Sequence, residues 1–282
     1  MSACQQVAII HRVRGQETPD GAGVRLRRVL GNSQLRRFDP FLMLDELKSD
    51  QPGDYIAGFP DHPHRGFETV SYQLEGEMEH RDHLGNHGLV EPGGAQWMTA
   101  GRGVIHSEMP RPREGSLWGF QLWINLPAAQ KLCAPRYRGL AAADIPEVED
   151  AQGVVRRVIA GNSLGVAGAV GDIFVDPLFV DLRFPPGASL VHPLEPGHHS
   201  LLYCYRGSLE VAGERLPAGE LAVLGEGSEL GLIAAGEGAG ALLLSARPLN
   251  EPVAQYGPFV MNTGAEIEQA LRDYQNGTLV QR

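Results

Sequence analysis

The chain has 282 residues, a hydrophobic fraction of 43%, a charged fraction of 21% and a net charge of -10. That composition excludes an intrinsically disordered chain, and the acidic balance argues against direct nucleic-acid binding. No apolar run approaches the ~20 residues that cross a bilayer, and residues 1–5 open no basic-then-apolar leader, so a cytoplasmic protein with no membrane partner is expected.

Short apolar or alternating runs, bounded by Gly, Pro, Asn and Asp, fall at 7–13, 68–74, 88–91, 117–126, 178–184, 200–205, 221–224 and 241–246. Short strands at this spacing predict an all-β sandwich or barrel. Arg25, Arg27, Arg28, Arg36 and Arg37 form the one basic stretch. A solvated face, or pairing with carboxylates, accounts for them more simply than a nucleic-acid patch. A composition break at 138–153 divides the chain into expected domains 1–138 and 139–282. Each half carries a glycine inside a strand run, Gly76 and Gly207, which suggests a duplicated barrel. Near the end, Ile267, Leu271 and Tyr274 share a helical face over 265–276. Thr263 is placed to cap that helix, with Glu266 and Glu268 favourable in its first turn. Cys4, Cys133 and Cys204 are far apart and form no CxxC, which argues against a disulfide framework and fits a reducing cytosol.

Six of the ten histidines lie between positions 62 and 106. His62-Pro63-His64 and His106-Ser107-Glu108 place paired ligands two residues apart, on the same side of an extended chain. Two neighbouring strands could therefore aim three imidazoles and a carboxylate at one point. Such a set leaves two open positions on an octahedral metal and suits Fe(II), Mn(II), Ni(II) or Cu(II). A structural zinc site would more often use thiolates and close its shell, so zinc is the remaining alternative. Glu68 follows His64 by four residues and competes with Glu108; spacing alone leaves both open. His80, His83 and His87 lie around a hairpin turn and read as supporting or solvent-facing residues. His192, His198 and His199 form no HxH, so the second barrel is expected to hold no metal.

Several segments resemble the pirin family, within the bicupin branch of the cupin superfamily: Phe38 to Asp45, Gly58 to Val70, Leu74 to Asp82, Gln96 to Pro110 and Gly257 to Thr263. The resemblance is densest over 38–126. It implies two jelly-roll-like β-barrels with a short C-terminal helix, and iron in the N-terminal barrel on His62, His64, His106 and Glu108. It also implies that Glu108 ligates while Glu68 is a strand residue or a supporting one.

Some bacterial members act as quercetin 2,3-dioxygenases, so the resemblance implies an oxygenase taking a flavonol and O2. Chelation of the flavonol would lower the pKa of its 3-hydroxyl, with Glu108 as the candidate base. Phe41, Met43 and Trp97 are the wall candidates. Other members act as iron-dependent regulators, so the alternative is a redox-responsive protein that binds a transcription factor or metabolic enzyme.

Overall fold

Strands of five to nine residues, closed by glycine turns, dominate the computed structural model, which describes residues 6–111 and 115–280. Cys4 lies outside the described residues. The chain divides into two compact units, one of 16–31, 39–144 and 249–282 and the other of 1–15, 32–38 and 145–248.

In the first unit a seven-stranded antiparallel sheet runs Arg136–Leu140, Ala95–Thr99, Phe67–Glu75, Leu117–Asn125, Phe41–Ser49, Val24–Leu30 and Gln16–Asp20. A four-stranded sheet runs Phe59–His64, Val104–Arg111, Glu77–Asp82 and His87–Val90. The two form the walls of a cupin barrel, and polar side chains of one reach those of the other across its interior. In the second unit, strands Ile9–Arg14, Glu220–Leu224, His199–Val211, Glu229–Ala246, Leu178–Phe184, Val155–Ala160 and Glu147–Glu149 follow one another in a single curved sheet. Register irregularities between Cys204 and Arg206, and between Gly207 and Leu209, bend its long central strand. Val158, Val180, Leu182, Leu202, Leu230 and Leu243 fill the interior of that second cupin barrel.

The contiguous division at 138/139 differs from this arrangement at both ends of the chain. Strand Ile9–Arg14 pairs with Glu220–Leu224, so the N-terminal segment completes the second barrel's sheet. The helix Gly264–Gln275 buries Ile267 and Ala270 against Phe259, Met261 and Leu279, with Ile105 of the first barrel packed on the same cluster. Apolar surface on that helix needs a partner, and the first barrel supplies it. Thr263 caps the helix in a reciprocal capping box with Glu266. Tyr274 remains 42% exposed rather than joining the buried face.

The repeated glycine turns are real in both units. Gly76 and Gly207 have φ of 73° and 63°, which an L side chain rarely adopts. A Cβ at either position would also meet a backbone oxygen, Ser116 O at 2.5 Å and Gly238 O at 2.0 Å. No helix among the described residues is long and apolar enough to cross a membrane. Arg27 and Arg28 of the basic stretch pair with Glu46 and Asp45, as a carboxylate-paired face requires.

Glu79, on strand Glu77–Asp82, accepts hydrogen bonds from Arg81, His87 and Arg111. These donors hold its carboxyl at about 2, well below the ordinary range. A carboxyl depressed by folding stabilises the protein above its unfolded pKa and loses that contribution as pH falls through the folded value. Glu79→Gln should therefore lower the melting temperature at pH 6 but leave it unchanged near pH 2. Melting curves across that range check this; parallel loss at both ends would contradict it.

Candidate metal centre

Strands Phe59–His64 and Val104–Arg111 are antiparallel neighbours, and their register sets His106 directly opposite His62. His64 stands two residues from His62, on the same side of its strand. The three rings consequently converge, with centroids 4.4–4.8 Å apart. One nitrogen from each lies within 4.8 Å of the others, the one group of this kind found among the described residues. His64 and His106 are buried, while His62 is half-buried and forms the side open to solvent.

Burial pushes His64 and His106 well below the usual histidine pKa, and the neighbouring rings push in the same direction. Both are neutral at pH 7, the form that ligates metal. His62 Nδ1 donates to Pro60 O at 2.8 Å, so its Nε2 carries the free lone pair. That Nε2 faces His64 Nε2 at 3.1 Å. Imidazole nitrogens at this separation, with His64 Nδ1 and His106 Nε2 both buried and without a hydrogen-bond partner among the described residues, fit a divalent cation better than a core packed for its own sake.

Glu108 lies beside the histidines on strand Val104–Arg111 but outside the three-imidazole group. Its Oε1 accepts from Ser71 Oγ at 2.7 Å and Gln96 Nε2 at 2.5 Å, and its Oε2 from Gln121 Nε2 at 2.7 Å. Only 2% of the residue is exposed, and it makes no ion pair among the described residues. A buried carboxylate held by neutral donors still calls for a cation. Glu68 has a different place. The preceding residue, Phe67, packs its ring on His64, so strand alternation turns Glu68 to the opposite face of the sheet. There Thr99 Oγ1 donates to it at 2.6 Å, and burial pushes its carboxyl up.

The aromatic wall beside His64 is Phe67 and Trp123, with centroids 5.0 and 5.3 Å from its ring. Neither is among the three wall candidates read from the sequence. Trp97 alternates with Gln96, which reaches Glu108, and so points away from the centre. Met43 pairs in register with Trp123 and is buried, as is Phe41. Tyr137 also escaped sequence reading. Its ring stacks on His80 at 4.3 Å, and its hydroxyl donates to Gln96 Oε1 at 3.3 Å. Burial, then Glu108 and Asp82, push that hydroxyl up to about 12, which keeps it a donor.

In the second unit, His192 Nε2 accepts from Ser163 Oγ at 2.9 Å and His199 stacks on Phe38. Both histidines are taken up in contacts within the protein.

Two cupin barrels, the first with three imidazoles converging on one point, define a bicupin with a candidate metal centre. The Pirin family model matches residues 23–124, and the model for the Pirin C-terminal cupin domain matches 179–280. The chain belongs to the pirin family. It is 53% identical over 272 residues to a Pseudomonas aeruginosa protein provisionally named quercetin 2,3-dioxygenase, covering 94% of this chain and 95% of the relative. It is 42% identical over 270 residues to human pirin, covering 94% and 91% of the two chains. A crystal structure of quercetin 2,3-dioxygenase from Acinetobacter baumannii superposes with a TM-score of 0.88 at 34% identity, covering 97% of this chain and 98% of the other.

Proposed function

We propose that this protein is a metal-dependent oxygenase that cleaves a flavonol such as quercetin with O2, using a metal held by His62, His64, His106 and Glu108. The observation that carries this reading is the convergence of three imidazoles beside a buried Glu108 side chain that makes no ion pair among the described residues. The fourth ligand comes from the family resemblance, and Glu108 would reach a bound metal by turning from its amide and hydroxyl partners. A bound divalent metal, Fe(II) first and Mn, Ni, Cu or Zn as alternatives, supplies Lewis acidity toward the flavonol oxygens and redox contact with O2.

The protein's own groups account for the rest. Glu108 Oε1 is held by two donors and Oε2 by one, which leaves Oε2 the freer lone pair for the proton of the 3-hydroxyl. Ser71, Gln96 and Gln121 would receive the carboxylate as it swings back from the metal to take that proton. Trp123, half-buried beside His64 and backed by the fully buried Phe67, offers flat apolar surface to an aromatic substrate entering on the exposed side of His62.

The iron-loaded protein should bleach the quercetin absorption band in air with matching O2 consumption, and leave it unchanged under nitrogen. Neither bleaching nor O2 uptake would remove the flavonol reading. A redox-responsive regulator that binds a protein partner would use the same ligands, and in this assay it would be the reading left standing.

A further inference from the structure

Resting on the metal-centre reading, we infer that His80 is a positioning residue that fixes the tautomer of His106 and so aims the His106 Nε2 lone pair into the centre. The inference comes from a chain of contacts that ends on a carboxylate. Asp82 Oδ1 accepts from the backbone amides of Leu84 and Asn86 at 2.9 and 3.0 Å, and Oδ2 accepts from Asn86 Nδ2 at 2.8 Å. Donors on both oxygens hold it as an acceptor. His80 Nε2 lies 3.4 Å from Asp82 Oδ2, so that nitrogen carries the proton. In the single-proton tautomer that this contact selects, His80 Nδ1 is bare, and that atom lies 3.3 Å from His106 Nδ1.

Two nitrogens at that distance need one hydrogen between them. With His80 Nδ1 bare, the hydrogen must sit on His106 Nδ1. His106 Nε2 is left bare, and it is buried with no hydrogen-bond partner among the described residues. The order inferred is therefore carboxylate, imidazole, imidazole, open lone pair. Outer groups of this kind set ligand orientation and basicity at metal centres.

The surroundings keep His80 in that pose. It is fully buried, and Tyr137 stacks on it with ring planes 18° apart. Gly88 faces His80 across the strand pair, and a Cβ there would lie 2.0 Å from Tyr137 Oη. Glycine at 88 is what lets the tyrosine ring lie over the imidazole.

The test uses full-length protein, without flavonol or turnover, so its outcome is separate from that of the oxygenase assay. Long-range nitrogen–proton NMR of the metal-free wild type should place protons on His106 Nδ1 and His80 Nε2. A proton on His106 Nε2, or on His80 Nδ1, overturns the inference without any variant. Co(II) then serves as a coloured probe of affinity and geometry. His80→Phe keeps a ring under Tyr137 but removes the acceptor, and should weaken Co(II) binding by about 10- to 100-fold and shift its visible bands. His80→Asn restores an acceptor near the position of Nδ1 and should recover most of that affinity, although it fills the space less well. Equal loss in both variants, Asn binding more weakly than Phe, or unchanged binding by Phe would show that His80 serves packing alone.

Discussion

His106→Ala is expected to lower divalent-metal affinity by three orders of magnitude or more, about 4 kcal/mol. His106 supplies the one nitrogen of the centre that comes from strand Val104–Arg111, opposite the pair on Phe59–His64. Its removal leaves His62 and His64, whose Nε2 atoms are 3.1 Å apart, and disconnects the His80 contact behind it. The ring is neutral, so the change removes no charge from the metal-free fold. The loss should therefore show as ligand linkage: at metal concentrations about 100 times the wild-type Kd, wild type gains roughly 2.7 kcal/mol of stability and the variant gains almost none. Titration calorimetry and melting curves with and without metal read both effects. Glu68→Gln is the matched control, because that carboxyl lies on the other face of its sheet; its metal affinity should equal wild type. A His106→Ala protein that retains one metal per chain after desalting would contradict the assignment.

How much of this was legible in the sequence depended on the range of the interaction that decides it. The two HxH-type pairs could be read because side-chain alternation is a local property of an extended chain, and the three imidazoles do meet. The capping box at Thr263 and Glu266 is equally local. The donors to Glu108 are different. Ser71, Gln96 and Gln121 come together because their strands pair in one register, Ser71 with both Gln96 and Gln121. A shift of one residue would have turned them to the other face, and no local pattern specifies that pairing. The face that Glu68 takes has the same origin, since the ring of Phe67 before it packs on His64; the preference for Glu108 as ligand comes from the family resemblance. The contiguous domain division missed the exchange of chain ends because a single strand, Ile9–Arg14, carries no mark of the distant edge it completes.

Lys131→Met should cost about 3–5 kcal/mol in the unit that holds the candidate centre. The Lys131 ammonium is almost fully buried, 1% exposed, and donates to Asn125 Oδ1 at 2.7 Å, Gly66 O at 2.8 Å and Val260 O at 2.9 Å. Gly66 follows His64 by two residues, and Val260 lies in strand Phe259–Met261, which packs with the C-terminal helix. One side chain thus ties the end of the ligand-bearing strand to the segment that closes over it. Methionine keeps the length and apolar volume of the stem but supplies no hydrogen to the three acceptors. Arginine should not rescue the position, because its planar fork is larger than the space the ammonium fills. Two units make a single unfolding transition an unsafe assumption, so the affected transition is identified as the one that metal shifts to higher denaturant. Its midpoint should fall with little change in slope. A loss below about 1 kcal/mol would mean that water takes over all three acceptors once the ammonium is gone.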